Sequence, residues 1–147
     1  SESEKMENPK GWSLPLGRVI RPSYGDGFML LGDAAGLVDP FTGEGIGNAM
    51  ASAKYAVKVA NMAKEKKDYS KNMFSKYHEL LWEDIGSELK ISSKLQDLAN
   101  YRFLLNLVIN KAAKSEEIQN IISGMLINEV PKEKLSNPLF YLRILFS

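Results

Sequence analysis

The sequence contains no cysteine and only one histidine among its 147 residues. The absence of cysteine excludes disulfides, iron–sulfur clusters and thiolate catalysis. The single histidine, His78, stands beside Tyr77 and Glu79 in a stretch with helical periodicity, and no second histidine or cysteine can join it as a ligand. A surface or half-buried position on a helix is therefore expected for His78, rather than a role as general base or metal ligand. No metal site is predicted.

The sequence also lacks an excess of charge and a long hydrophobic run. Lys and Arg number 19 against 18 for Asp and Glu, which argues against a nucleic-acid partner. The longest apolar stretch, residues 101–109, contains Arg102 and Asn106 and is too short to span a bilayer. The lack of cysteine fits a reducing compartment. A cytoplasmic location is expected, with peripheral membrane association through the apolar residues 139–146 as an open alternative.

The first third of the chain combines signals for extended structure with signals for one helix. Asp26-Gly27 is a pair typical of a β-hairpin turn, and the apolar residues 28–31 are expected to form a buried strand. After these residues, apolar side chains recur at the spacing of a helix, and the charged residues 64–67 are expected to end this helix. The apolar residues predicted to share one face of it are Ile46, Ala49, Met50, Ala53, Val57 and Ala60.

The remainder of the chain is predicted to be helical almost throughout. One amphipathic helix is marked by residues 73–85 and a second by residues 95–109. Ser115 is the expected N-cap of a third, and residues 139–146 are expected to form a last short helix. The predicted fold class is mainly α with a small α/β N-terminal part, and the predicted division is residues 1–67 and 68–147. One or two strands do not form a stable sheet, so further strands are expected outside these residues or in a partner subunit.

Residues 32–50, GDAAGLVDPFTGEGIGNAM, contain the one cluster of chemical signals in the chain. They place a carboxylate, Asp33, directly after the predicted strand and three glycines before and within the first turn of the next helix. Glycine lets the backbone approach a flat ligand, and a helix N-terminus presents N–H donors to an anion. The segment lacks the Lys-Ser/Thr ending of a P-loop. The spacing of Asp33, Asp39 and Glu44 does not fit a calcium-binding loop.

The spacing P-x-x-G-x-G-x-N over residues 40–48, with residues 32–36 before it, resembles the second FAD-binding motif of a flavoprotein family. That family includes aromatic hydroxylases and geranylgeranyl reductases, and the sequence of residues 32–46 is most similar to the reductase branch. The resemblance covers roughly residues 12–60. It implies that residues 1–67 are part of a Rossmann-like FAD-binding domain, with Asp33 at the ribityl chain and residues 43–48 facing the isoalloxazine. The cofactor-binding residues implied are Gly32, Asp33, Pro40, Gly43, Gly45, Ile46, Gly47 and Asn48.

The resemblance further implies hydride transfer from reduced FAD to a prenyl-type alkene, and hence a lipid or isoprenoid substrate. The family's first cofactor motif, G-x-G-x-x-G, is absent from these residues, and that motif holds the pyrophosphate. The chain alone is therefore expected to be an incomplete enzyme that retains FAD poorly. Its expected partner is the remainder of a flavoprotein or another subunit. No catalytic acid is assigned.

Two alternatives remain open from the sequence. Within the flavin class, the same motif is compatible with an aromatic hydroxylase, that is, a monooxygenase. Outside it, the chain is compatible with a non-catalytic, truncated relative that serves as a helical assembly module. In that case exposed apolar surface is expected to drive self-association.

Overall fold

A computed structural model describes residues 10–126 and residue 139. The described part is mostly helical, with a small N-terminal portion that contains β-structure, as the sequence predicts. The predicted helix over residues 139–146 lies outside the described residues, apart from Leu139. In chain order the elements are β1 (Tyr24–Gly25), β2 (Phe28–Met29), a 3-10 helix (Gly32–Ala35), α1 (Ile46–Lys66), α2 (Lys71–Ala99), α3 (Arg102–Ala112) and α4 (Glu116–Leu126).

The strands β1 and β2 form an antiparallel hairpin around Asp26-Gly27, so the predicted hairpin turn is confirmed. The prediction of a buried strand over residues 28–31 is wrong. β2 has only two residues, and the Phe28 side chain is 51% exposed. The reason is that β2 pairs with β1 alone in the described part of the chain, so no sheet forms there to cover it. A separate parallel bridge joins Leu16 to Val38.

Helix α1 begins and ends where the sequence predicts, but the face that it buries is different. The buried residues are Ser52, Ala56, Val59 and Ala63, whereas Met50 is 70% exposed. None of these side chains is larger than valine, which lets α1 lie close to α2. The larger apolar residues of the predicted face form a second apolar side of α1, which no described residue covers.

Helix α2 is one 29-residue helix, so the predicted separation between residues 85 and 95 is wrong. The helix passes through Gly86, where an added Cβ would stand 3.3 Å from Trp82 Cε3. The chain instead leaves the helix at Asn100, before α3. The predicted N-cap of α4 is confirmed, since Ser115 Oγ accepts a hydrogen bond from the Ile118 N–H at 3.4 Å.

The core lies between α1 and α2, and Ala35 of the 3-10 helix and Leu37 after it belong to it. Tyr77 of α2 is completely buried, and its hydroxyl donates to the Leu30 carbonyl at 2.7 Å. The predicted division at residue 67 falls in the turn between two helices that share this core, and it stays a prediction. None of the described helices is long and apolar enough to cross a membrane.

Candidate functional site

Residues 32–50 fold into the 3-10 helix, a loop and the first turn of α1. Gly32 has a positive φ of 51°, and a Cβ there would stand 3.0 Å from the Ala49 Cβ. The Gly32 N–H donates to Ser52 Oγ at 3.1 Å. Glycine at this position therefore allows the segment after β2 to lie directly against α1.

The structure brings Asp33 and Gly45 together. Asp33 is exposed, and its carboxylate lies beside the residue that precedes α1, because a Cβ added at Gly45 would stand 3.3 Å from Asp33 Oδ1. The carboxylate can therefore accept hydrogen bonds from a ligand that lies over the start of the helix. No pairing of Asp33 with a basic side chain competes with this among the described residues.

The loop between them turns at Pro40 and Gly43. Pro40 is buried, while Gly43 has φ of 75° and no atom within 4 Å of an added Cβ. Its N–H donates to the Asp39 carbonyl at 2.9 Å. The backbone at the Gly43 corner is therefore not covered by any neighbouring side chain on that side.

The N-terminus of α1 already faces one carboxylate of the chain itself. Gly45 provides no capping side chain, but the Gly47 N–H donates to Glu44 Oε1 at 2.9 Å. A helix N-terminus stabilises negative charge, and here Glu44 supplies that charge. Ile46 is 76% exposed, so its side chain is available for contact with a ligand or another protein surface.

Asn48 is used within the fold. Its Nδ2 donates to the Leu37 carbonyl at 2.8 Å, which ties the first turn of α1 to the chain that follows the 3-10 helix. The amide nitrogen thus orients the loop, while the predicted contact of Asn48 with the cofactor stays a prediction.

Two residues that the sequence analysis did not assign to the site hold the loop in place. Asp39 is 2% exposed and Ser92 of α2 is completely buried. The Ser92 hydroxyl donates to Asp39 Oδ2 at 2.6 Å, and the N–H groups of Phe41 and Thr42 donate to Asp39 Oδ1 at 2.9 and 2.8 Å. The available signal was Asp39 followed by Thr42, since aspartate commonly accepts from N–H groups two or three residues later.

An apolar cavity of about 70 Å³ adjoins the same loop. Phe41 forms one wall, and the end of α2 and the start of α3 form the others. The cavity is lined by Phe41, Leu95, Leu98, Ala99, Leu104, Leu105 and Val108. It can accept a small apolar group but offers no charged or polar side chain to orient it.

His78 belongs to a different part of the molecule. Its ring lies between Tyr24 and Trp82, with centroid distances of 5.4 and 5.9 Å, and Nδ1 is 3.3 Å from Ser23 Oγ. Burial lowers the pKa of His78, and the negative charge of Glu79 offsets part of that effect. Residues 10–126 contain no group of three side chains able to hold a metal ion.

Comparison with known proteins confirms the resemblance to the geranylgeranyl reductases. The chain is 41% identical over 83 residues to digeranylgeranylglycerophospholipid reductase 2 of Methanosphaera stadtmanae, covering 56% of this chain and 21% of that protein. It is 47% identical over 70 residues to a digeranylgeranylglycerophospholipid reductase of Thermoplasma acidophilum, covering 48% of this chain and 18% of that protein.

A longer match joins the chain to digeranylgeranylglycerophospholipid reductase 2 of Methanopyrus kandleri. It has 29% identity over 126 residues, covering 84% of this chain and 31% of that protein. The chain thus spans about a fifth to a third of the length of these curated relatives. No family model and no solved structure matches the chain.

Proposed function

We propose that this chain, a sequence relative of digeranylgeranylglycerophospholipid reductases, forms part of an FAD-dependent reductase that acts on prenyl-type alkenes of a lipid. The observation that carries the proposal is the position of the Asp33 carboxylate beside Gly45 at the start of α1. This arrangement occurs in a chain 41% identical over 83 residues to a named reductase. The reductase names of the reported relatives favour this reaction over that of an aromatic hydroxylase.

The residues of the loop fit the FAD that the resemblance implies. Asp33 is an exposed acceptor for sugar-like hydroxyls, and it is assigned to the ribityl chain. The open corner at Gly43 and the Cβ-free backbone at Gly45 allow a flat ring to approach closely. The cofactor-binding set is proposed to be Gly32, Asp33, Pro40, Gly43, Gly45, Ile46, Gly47 and Asn48. Within it, Gly32 and Asn48 act through the shape of the loop.

When bound, FAD would supply the hydride for reduction of the substrate alkene. The chain's own contribution at that point is electrostatic, because the N-terminus of α1 stabilises negative charge that lies close to it. The Glu44 carboxylate already accepts the hydrogen bond that the Gly47 N–H donates. A negatively charged part of a ligand can therefore bind this N–H only if the Glu44 side chain moves away. Glu44 therefore sets how strongly the helix end attracts an anion.

The same proposal gives a role to the N-terminal portion of the chain. Residues 1–67 are assigned to a Rossmann-like FAD-binding domain and residues 68–147 to a helical region. The parallel pairing of Leu16 with Val38 supports this, because parallel strands occur in larger α/β sheets. The proposed partner is the remainder of a flavoprotein or another subunit, in the cytoplasm.

A lipid substrate is supported by the apolar cavity beside Phe41. A prenyl chain has no polar groups along its length, and the seven residues that line the cavity have apolar side chains. The cavity is lined by residues of α2, of α3 and of the glycine-rich loop, residues 36–45 between the 3-10 helix and α1. It is proposed to receive a terminal part of the apolar chain.

The test is a chimera in which the matched stretch of the Methanopyrus kandleri reductase is replaced by this chain. Asp33→Ala in the chimera is expected to weaken FAD binding by about 10- to 100-fold, the usual effect of losing a hydrogen bond to a charged group. Glu65→Ala removes an exposed carboxylate near the other end of α1 and serves as the control. A chimera without flavin, or equal FAD affinity in the two variants, would contradict the proposal.

A second candidate is a helical assembly module without catalytic activity. The exposed apolar side of α1 favours it, because Ile46 is 76% and Val57 is 61% exposed. Apolar patches of this kind mark protein–protein contacts. Self-association of the chain without any flavin binding in the chimera is the outcome expected from this candidate.

A further inference from the structure

We propose that Asp39 is a positioning residue, and that its hydrogen bond with Ser92 of α2 holds the glycine-rich loop in the shape that the cofactor requires. The consequence for FAD rests on the function proposed above. The control of loop shape does not, and it can be measured on the chain alone.

Two backbone hydrogen bonds of Asp39 join the beginning of the loop turn to its end. Its N–H donates to the Glu44 carbonyl at 2.7 Å, and its carbonyl accepts from the Gly43 N–H at 2.9 Å. Residues 39–44 are therefore one closed turn, with Gly43 at its corner. A shift of Asp39 moves the whole turn.

The side chain of Asp39 organises the inside of the turn. Oδ1 accepts from the Phe41 N–H, the Thr42 N–H and the Thr42 hydroxyl, the last at 3.0 Å. A carboxylate that is 2% exposed must have its hydrogen bonds satisfied, because burying an unsatisfied charged group is costly. The other carboxylate oxygen, Oδ2, accepts a hydrogen bond from outside the turn.

Ser92 supplies that outside hydrogen bond. It lies 53 residues away in sequence, and its hydroxyl donates to Oδ2 at 2.6 Å. Phe41 packs against Leu95 of the same helix, so one polar and one apolar contact fix the turn to α2. Within the described residues, α2 thus helps to hold the Gly43 corner in its position relative to α1.

A matched pair of serines separates this role from a general effect on stability. Ser92→Ala removes the donor to Asp39. Ser93→Ala removes a neighbouring hydroxyl of α2 that donates only along its own helix, to the Leu89 carbonyl at 2.9 Å. Each variant removes one hydroxyl from the same turn of α2, and only the hydroxyl of Ser92 contacts the loop.

The first measurement is the amide spectrum of the folded 147-residue chain by NMR. Ser92→Ala is expected to shift the amide resonances of residues 41–44, whereas Ser93→Ala leaves them unchanged. If the two variants give the same loop resonances, the proposal is overturned. Asp39→Asn, which keeps the side-chain shape and one acceptor oxygen, is expected to give shifts in the same residues as Ser92→Ala.

The second measurement is FAD affinity in the chimera with the Methanopyrus kandleri reductase. Ser92→Ala is expected to weaken FAD binding by about tenfold, because binding must then restore a loop shape that the lost hydrogen bond no longer holds. Equal affinities for Ser92→Ala and Ser93→Ala in a yellow chimera would overturn the positioning role alone. A colourless chimera would overturn the proposed function, while the amide shifts still decide whether Ser92 controls the loop.

Discussion

Gly32 is the residue at which a single methyl group has the largest expected effect on the site. Its φ is 51° and an added Cβ would stand 3.0 Å from the Ala49 Cβ. Gly43 has a comparable φ of 75° but open space around it. An alanine at either position must adopt the left-handed backbone conformation, which costs about 1–2 kcal/mol. Only Gly32→Ala also introduces a clash within the packed fold.

We therefore expect Gly32→Ala to lower the free energy of unfolding by roughly 1–3 kcal/mol more than Gly43→Ala, the usual range for overpacking. Urea unfolding followed by circular dichroism measures both. Equal losses in the two variants would mean that the 3-10 helix can move away from α1 without cost.

His78 makes the stability of the chain depend on pH in one direction. Burial lowers its pKa from 6.5, so the unfolded chain binds the proton first as the pH falls. The stabilisation is fully present above about pH 6.5. It is lost as the pH falls from that value through the folded-state pKa, because the neutral ring between Tyr24 and Trp82 must then take up charge.

The expected result is a free energy of unfolding that declines from about pH 7.5 to pH 5.5, with a shallower decline in His78→Gln. The chain has no other histidine, and carboxylates titrate mainly below this range. Urea unfolding at several pH values gives the slope, and an NMR titration gives the pKa of His78 directly. An unchanged slope in His78→Gln would assign the effect to other groups.

At the scale of elements, Tyr77 is the link between α2 and the chain that enters the site. Its hydroxyl donates to the Leu30 carbonyl at 2.7 Å, two residues before the 3-10 helix. Tyr77→Phe keeps the packing but leaves that carbonyl without its partner, so we expect a loss of about 1–2 kcal/mol. Tyr101→Phe, at a ring that is 64% exposed, is expected to change the unfolding midpoint little. A similar loss in both variants would contradict a specific role for the Leu30 contact.

The elements also explain how far the sequence could predict the fold. The C-terminal end of α1 and the cap at Ser115 follow from local signals, namely a charged run rich in lysine and a serine that precedes acidic residues. The buried face of α1 cannot be predicted in this way, because both Ala56 and Met50 are apolar, and only the tertiary packing against α2 decides which side of the helix is buried. The strand predicted for residues 28–31 fails for a related reason, since a strand is buried only if other strands or helices cover it.

The same distinction between local signals and tertiary packing applies to the candidate site. The glycine spacing and Asp33 are local and can be found in the sequence, and their proximity to one another follows from the short loop between them. The Asp39–Ser92 contact joins residues 53 positions apart. No periodicity or motif encodes such a pair, so it becomes visible only when α2 packs against the loop.

For the molecule as a whole, the unusual property is the apolar surface that the described residues leave uncovered. On α1 the side chains of Ile46, Met50 and Val57 are 76%, 70% and 61% exposed. Their spacing of four and seven residues places them on one side of the helix. This side adjoins the glycine-rich loop at Ile46, so whatever covers the helix also approaches the proposed cofactor site.

We expect the chain alone to self-associate through this side, because burial of apolar surface favours association. Met50→Lys combined with Val57→Lys introduces two charges on it and is expected to shift the chain towards monomer. Ser87→Lys adds a charge to an exposed position of α2 and is the control. Size-exclusion chromatography with light scattering at increasing protein concentration measures the mass. A wild-type chain that stays near 16.4 kDa throughout would contradict self-association, and a Ser87→Lys variant as monomeric as the double variant would assign the effect to net charge rather than to this side of α1.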